Sequence, residues 1–149
     1  MIPLGVLVFY AALRWDVFTD FYKWLANEAG TYSPVDHPKD NWQRSFFISP
    51  AGVCFYFGHP HVSTLNGQSL LILANVCLML FFVWWLAFDG WYNKKRKLKF
   101  WFMGSFNDAG HNDAALDKFQ RWAGPTASKL IKVLGAGLTV IFYIISFFG

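Results

Sequence analysis

The feature that most constrains this chain is a continuous apolar run over residues 70–88, which contains no charged residue. At about 1.5 Å per residue, a helix of this length spans roughly 28 Å, close to the ~30 Å hydrocarbon thickness of a bilayer. Tryptophan and tyrosine residues gather at its C-terminal end, as is typical where a helix meets lipid headgroups. Residues 69–92 are therefore predicted to form a central transmembrane helix.

The composition agrees with a membrane protein rather than with a soluble domain. Of the 149 residues, 55% are hydrophobic, 21% are aromatic and only 15% are charged. Cys54 and Cys77 match neither a disulfide framework nor a paired zinc pattern, and no sequence motif of a nucleotide-binding protein, metalloprotease or hydrolase is present. The net charge of +4 lies mostly beside the central span, so no nucleic-acid partner is expected.

Two further segments are predicted to be transmembrane. Residues 125–149 form the C-terminal span, because the part from residue 133 onward is uncharged and long enough for roughly 25 Å of helix. Residues 1–29 form a helix whose apolar first half, residues 1–13, enters the bilayer and whose second half emerges as an amphipathic stalk. The alternative is that this N-terminal helix lies flat on the membrane surface throughout.

The connection over residues 30–68 is predicted as an outer-side loop with an interfacial segment. Pro34 and Pro38 interrupt residues 31–42, which are otherwise rich in turn-forming side chains. Residues 44–58 are apolar and aromatic but too short for a further span. We expect them to lie at the interface, to re-enter the bilayer or to strap onto a partner subunit.

The connection over residues 93–124 is predicted as a basic inner-side segment. It contains a short amphipathic helix over residues 113–123, which ends at Gly124 followed by Pro125. The predicted fold class is thus an all-α membrane protein. It has two firm transmembrane helices, a third at the N-terminus, interfacial amphipathic helices and a long aromatic loop.

The distribution of Lys and Arg predicts the orientation. Nine of them lie within residues 94–132, between the central and terminal spans, whereas four lie within residues 14–68. Because cytoplasmic-type loops carry the excess of positive charge, residues 94–132 are expected on the matrix, stroma or bacterial cytoplasmic side. With three spans, residues 14–68 and the C-terminus then lie outside and the N-terminus inside.

Histidines are the candidate cofactor ligands. His59 and His61 flank Pro60 at the outer boundary of the central span, where either imidazole could bind a haem iron or a chlorophyll magnesium. No histidine falls within a predicted span, and the spacing matches no known metal motif. Ordinary loop histidines that form hydrogen bonds are the alternative, and no cofactor is expected apart from a bound phospholipid.

The basic run after the central span has two compatible interpretations. It marks the inner side of the membrane, and it offers a docking site for anionic headgroups such as those of cardiolipin. Anionic lipids are therefore expected partners. The residues concerned are Lys94, Lys95, Arg96, Lys97 and Lys99.

Polar groups within the spans are few. The two firm spans contain no ionisable side chain, since Asp89 and Lys132 lie at their ends. Asn75 is expected to form a hydrogen bond to a neighbouring helix, and Gly135 and Thr139 form a small-xxx-small pair that permits close helix approach. These features predict helix packing rather than catalysis.

Together these patterns favour a non-catalytic structural subunit of a large hetero-oligomeric membrane complex. The connecting segments are rich in aromatic residues that we expect to be buried on other membrane subunits. A respiratory-chain complex of the mitochondrial inner membrane is preferred, and thylakoid and bacterial plasma membranes are the alternatives. A cofactor-carrying anchor that holds haem, chlorophyll or quinone through His59 or His61 is the second hypothesis. A small membrane enzyme or transporter would show buried charged pairs or a polar cavity, and neither is expected here.

Overall fold

The computed structural model describes residues 1–28, 37–63, 66–101 and 115–148. These residues form helices, with no strand among them: α1 (Ile2–Glu28), α2 (His37–Phe57), α3 (Gly67–Lys95) and α4 (Ala115–Ile145). Three segments are long and apolar enough to cross a membrane: Ile2–Lys23, Gly67–Lys95 and Trp122–Ile145. The predicted all-α membrane fold, including its N-terminal candidate span, is confirmed.

Local capping defines both ends of α3. At its start, the Asn66 side chain accepts a hydrogen bond of 2.8 Å from the Ser69 amide, and the Ser69 hydroxyl accepts one of 2.8 Å from the Asn66 amide. At its end, Lys97 has a φ of 60°, and the amides of Lys97 and Leu98 donate to carbonyl groups of the last turn. This Schellman arrangement turns the chain back sharply after the basic run begins.

The fourth helix is interrupted at Gly124, where φ is 79° and ψ is 167°. Such a positive φ favours glycine, and the following Pro125 starts a new helical segment well because its fixed φ suits a first helical position. The predicted end of the amphipathic helix at Gly124 is confirmed. Residues 113 and 114, where that helix was expected to begin, lie outside the described residues.

The predicted loop over residues 31–42 is wrong from His37 onward, because α2 begins there. Pro38 is the second residue of this helix, a position at which a missing amide hydrogen removes no intrahelical bond. The aromatic segment over residues 44–58 belongs to the same helix, which ends at Phe57. The expectation for residues 29–36 lies outside the described part of the chain.

The first three helices alternate in direction, so that α1 and α3 run parallel. Gly5, near the start of α1, lies so close to the end of α2 that a Cβ there would be 3.0 Å from the Cβ of Cys54. Farther along α1, Asp16 accepts a hydrogen bond of 3.1 Å from Nε1 of Trp84 in the second half of α3. The starts of α1 and α3 therefore lie at one end of the molecule and their second halves at the other.

This direction overturns the predicted placement of residues 14–28, which lie at the same end as the C-terminal part of α3, whereas residues 58–63 lie at the opposite end. Arg14 contacts the C-terminal part of α3, and Nζ of Lys95 lies 5.8 Å from the centroid of the Phe18 ring. Basic residues of α1 and α3 thus share one end. The orientation predicted from the Lys and Arg count assumed that the chain stayed on the outer side of the membrane between α1 and α3. In the structure, α2 runs back alongside α1.

As a result, the molecule has a charged half and an uncharged half. Every Asp, Glu, Lys and Arg falls within residues 14–44 or 89–132. Among the described residues, the uncharged half comprises residues 1–13, 45–63, 66–88 and 133–148, and it contains the larger hydrophobic core. Its buried members are Ala51, Phe55, Ile72, Val76, Met79, Leu80 and Tyr143.

Candidate functional site

A polar contact joins α3 and α4 within the uncharged half. The buried Asn75 donates from Nδ2 to the backbone oxygen of Thr139 at 3.1 Å. The Thr139 hydroxyl donates to the Gly135 oxygen one turn earlier, at 2.7 Å. The three residues that the sequence analysis selected for helix packing are therefore brought together at one interface.

Gly135 lets the Phe82 ring lie directly against the backbone of α4. A Cβ at position 135 would lie 2.5 Å from Cδ1 and 2.7 Å from Cγ of Phe82. Gly137, two residues later, has no heavy atom within 4 Å of the corresponding position. Close approach of the helices thus depends on one glycine of this segment and not on the other.

An ion pair that the sequence analysis missed joins α3 and α4 in the charged half. Nζ of Lys132 donates to the Asp89 carboxylate and lies 4.6 Å from the centroid of the Trp85 ring. Lys132 is only 4% exposed, whereas the side chain of Asp89 is 34% exposed. The pair is therefore half-buried, and the sequence analysis placed both residues at the ends of the spans without predicting that they meet. Its partners are far apart in sequence and each lies at the end of an apolar run, so no local pattern indicates the pair.

His59 joins the α2–α3 connection to the end of α4. Its Nδ1 accepts a hydrogen bond of 3.3 Å from the His61 amide, so the neutral ring carries its proton on Nε2. Nε2 lies 2.8 Å from Oγ of Ser146 and donates to it, and the Ser146 hydroxyl donates to the Tyr143 oxygen at 2.7 Å. Both nitrogens of the buried His59 are therefore used in packing.

Tyr143 completes the contact between α2 and α4. Its hydroxyl donates to the backbone oxygen of Phe55 at 2.6 Å, and the two rings meet edge to face with centroids 5.8 Å apart. The ring of Phe147 covers the other side of this cluster, 4.4 Å from the His59 centroid. Phe55 is thus buried in the core of this chain, although the sequence analysis expected it to cover a partner.

His61 differs from its neighbour in having an unused nitrogen. Its ring lies 5.6 Å from that of His59, centroid to centroid, at an interplanar angle of 51°. Its Nε2 is buried and has no hydrogen-bond partner among the residues that the structure describes. Within the described ranges, no group of three or more His, Cys, Asp or Glu side chains could hold a metal ion.

Acidification is expected to weaken the His59 contacts. Burial, with a smaller contribution from His61, lowers the pKa of His59 from its ordinary value of 6.5. Protonated Nδ1 would point a hydrogen at the amide that now donates to it. The stabilisation is fully present above pH 6.5. It begins to fall there because the unfolded chain takes up a proton first, and it is lost as the pH falls through the lowered folded-state pKa.

Melting temperatures of the detergent-solubilised protein, measured across this pH range, test the assignment. The variant His59→Phe cannot titrate at this position and should lose the acid sensitivity. His61→Gln is the control, and it should keep most of the sensitivity because burial is the larger cause of the shift. Equal acid sensitivity in the wild type and in His59→Phe would contradict the assignment.

The basic run is not uniform in its surroundings. Lys94, Lys97 and Lys99 are exposed, and Arg96 lies 5.5 Å from the ring centroid of a tyrosine one turn earlier in the chain. Among the contacts of the described residues, Lys95 reaches across to two aromatic rings of α1. The candidate lipid-binding residues therefore lie at one end of the molecule, in different surroundings.

Two residues without a role in the sequence analysis hold the basic run in place. A Cβ at Gly90 would lie 2.0 Å from the Phe100 ring, so the glycine makes room for that side chain. Asn93 donates from Nδ2 to the Phe100 oxygen at 3.1 Å. Only the fold reveals these roles, because both contacts depend on how the chain turns back after α3.

Comparison of the chain with known protein families, with curated proteins and with solved structures finds no match. The functional interpretation accordingly rests on the contacts and surfaces of the chain itself.

Proposed function

We propose that this chain is a non-catalytic accessory subunit of a large membrane complex. The observation that carries the proposal is the aromatic surface exposed in the charged half. Trp122 is 83% exposed, Trp15 is 61% exposed and Tyr22 is 52% exposed. Apolar patches of this kind, next to polar surface, are typical of sites that a protein partner covers.

The second half of α1 presents the most regular part of this surface. Four exposed side chains are spaced by three or four residues and so share one face of the helix: Trp15, Phe18, Tyr22 and Leu25. The sequence predicted an amphipathic stalk here, and its apolar side chains are exposed, although Phe18 also lies beside Lys95 of α3. A face with this spacing suits packing against another helix.

The buried polar groups support a packing role for the chain. Asn75, Lys132 and His59 each form a hydrogen bond to another element of the same chain. Such contacts fix the relative position of helices, which is what a scaffold subunit needs. They also account for the polar side chains that an enzyme or transporter would place at a reaction site.

We propose the respiratory chain of the mitochondrial inner membrane as the setting, with the charged half, including residues 94–132, on the matrix side. All 13 Lys and Arg residues fall within the segments of the charged half, as the positive-inside rule expects. The choice of respiratory complexes is an analogy of architecture, since these assemblies contain many small helical subunits. Thylakoid and bacterial plasma membranes are the alternatives.

Native gel electrophoresis after mild-detergent extraction from the source membrane tests the proposal. We expect the chain to migrate with redox subunits, which mass spectrometry of the band identifies. Trp122→Ala should weaken this association, because truncating an interface tryptophan often costs about 2 kcal/mol or more. Leu138→Ala is the control, because Leu138 is 64% exposed and lies in the uncharged half, where lipid can cover it.

Migration of the wild type alone or as a small homo-oligomer would contradict the accessory-subunit proposal. Equal loss of association in both variants would contradict the assignment of the interface to the charged half. Co-migration with photosynthetic core subunits would place the chain in a thylakoid complex instead.

A membrane anchor that binds haem, chlorophyll or quinone is the second candidate function. One observation favours it, namely the buried Nε2 of His61, which lacks a hydrogen-bond partner within the described part of the chain. His59 is less suited, because both of its nitrogens form hydrogen bonds. The visible spectrum of the same native band tests the haem and chlorophyll versions, and mass spectrometry of extracted small molecules tests the quinone version.

A further inference from the structure

A groove between α1 and the end of α3 combines an apolar floor with basic side chains. Its volume is about 310 Å³, near the lower limit for sites that bind small molecules. Val17 forms part of the floor and is almost completely buried. The groove is open on one side and is lined by Ala11, Arg14, Trp15, Val17, Phe18 and Lys95.

The two cations of the groove are held by aromatic rings. Cζ of Arg14 lies 5.8 Å from the centroid of the Trp91 ring, and Nζ of Lys95 lies 5.8 Å from the centroids of the Phe18 and Phe21 rings. Both basic side chains are exposed. The ion pairs resolved among the described residues involve neither of them. They can therefore accept an anion without first giving up a carboxylate.

The groove lies where the charged and uncharged halves meet. Arg14 is the first charged residue of α1, and Trp15 beside it is of the type that gathers at headgroup level. Toward the uncharged half, α1 continues with Leu7 and Leu4, which are exposed on the same side as Ala11. A ligand in the groove thus has cations at headgroup depth and an apolar path toward the bilayer interior.

We propose that the groove binds one anionic phospholipid of the surrounding bilayer. The phosphate lies between Arg14 and Lys95, and an acyl chain follows Ala11 toward Leu7. The apolar lining suits the glycerol and the first methylene groups. The two cations suit a phosphodiester whose headgroup has no positive charge better than one whose own ammonium already neutralises the phosphate. Of the basic run that was predicted to bind lipid, this phospholipid site uses Lys95, and it adds Arg14. The phospholipid proposal does not depend on the proposed complex.

Native mass spectrometry of the purified full chain with dioleoyl phosphatidylglycerol or dioleoyl phosphatidylcholine tests this inference. The wild type should retain phosphatidylglycerol in preference to phosphatidylcholine. The variant Arg14→Gln/Lys95→Gln should bind phosphatidylglycerol about 30-fold more weakly, because it removes both cations that contact the bound phosphate, each contributing about 5-fold. The control Lys94→Gln/Lys99→Gln removes the same charge outside the groove and should stay within about 3-fold of the wild type.

Equal weakening in both variants would show diffuse attraction to the basic run and would overturn the proposal. Equal retention of the two lipids by the wild type would overturn it as well. Displacement of the lipid by glycerol phosphate at matched concentration would point to a phosphate site without an acyl-chain subsite, which also contradicts it.

A measurement on the unmodified protein guards against variants that fail to fold. Phosphatidylglycerol with a photoactivatable group near its glycerol should label peptides that contain residues 11–18 and the end of α3. Labelling that is spread over the other lipid-facing helices instead would overturn the assignment.

Discussion

Replacing Gly135 with alanine is expected to push α3 and α4 apart and to lower the free energy of unfolding by about 2 kcal/mol. The added Cβ would lie 2.5 Å from Cδ1 and 2.7 Å from Cγ of Phe82. Because Cγ lies on the χ2 axis, turning the ring about χ2 leaves this overlap in place. Its relief needs a change of χ1 within the packed interface or separation of the helices, and separation also weakens the nearby contact between Asn75 and Thr139.

The chain contains its own control for this prediction. At Gly137 an added Cβ meets no heavy atom within 4 Å, so Gly137→Ala should be neutral or slightly stabilising through its better helix propensity. Gly135→Ala combined with Phe82→Leu should recover much of the loss. Thermal unfolding in detergent, followed by circular dichroism, measures all four proteins. Equal stability of the two alanine variants would contradict the proposed α3–α4 interface.

Removing the charge of Asp89 is expected to cost more than removing that of its partner Lys132. Asp89→Asn leaves a nearly buried ammonium without its carboxylate, and we expect a loss of about 2 kcal/mol, toward the low end for a broken buried pair. Lys132→Met leaves a carboxylate whose side chain is 34% exposed, and water can solvate it there. We expect this second loss to be under about 1 kcal/mol because partly exposed ion pairs contribute little.

A double-mutant cycle separates the pair from its surroundings. Asp89→Asn/Lys132→Met should be more stable than Asp89→Asn alone, since the Met side chain packs against Trp85 without a charge to solvate. Unfolding midpoints of the three variants and the wild type supply the cycle. Additive effects, or a larger loss for Lys132→Met than for Asp89→Asn, would show that burial of Lys132 does not control this contact.

The helices themselves were largely predictable from the sequence. A charge-free run over residues 70–88 predicts a long helix, and the structure places α3 there. The stop at Gly124 is equally local, because its positive φ and the following proline leave few other conformations. The one large local error was α2, where Pro38 was taken to break a helix although it lies in the first turn.

That local error had a non-local consequence. Without α2 as a returning helix, α1 was predicted to run opposite to α3, which separated Arg14 from Lys95. With α2 in place, α1 and α3 run parallel, and their basic residues meet at one groove. Because the start of α2 was misassigned, α1 was predicted to run in the wrong direction relative to α3.

Hydropathy, charge placement and helix-breaking residues by themselves determined which segments form membrane-type helices and where most of them end. These properties act within one or two turns, so they can be read from neighbouring residues. Only the tertiary structure decided that Asp89 faces Lys132, that His59 reaches Ser146 and that Phe82 lies on Gly135. Each of these contacts depends on the direction and register of two packed helices, and side-chain packing between distant segments sets both.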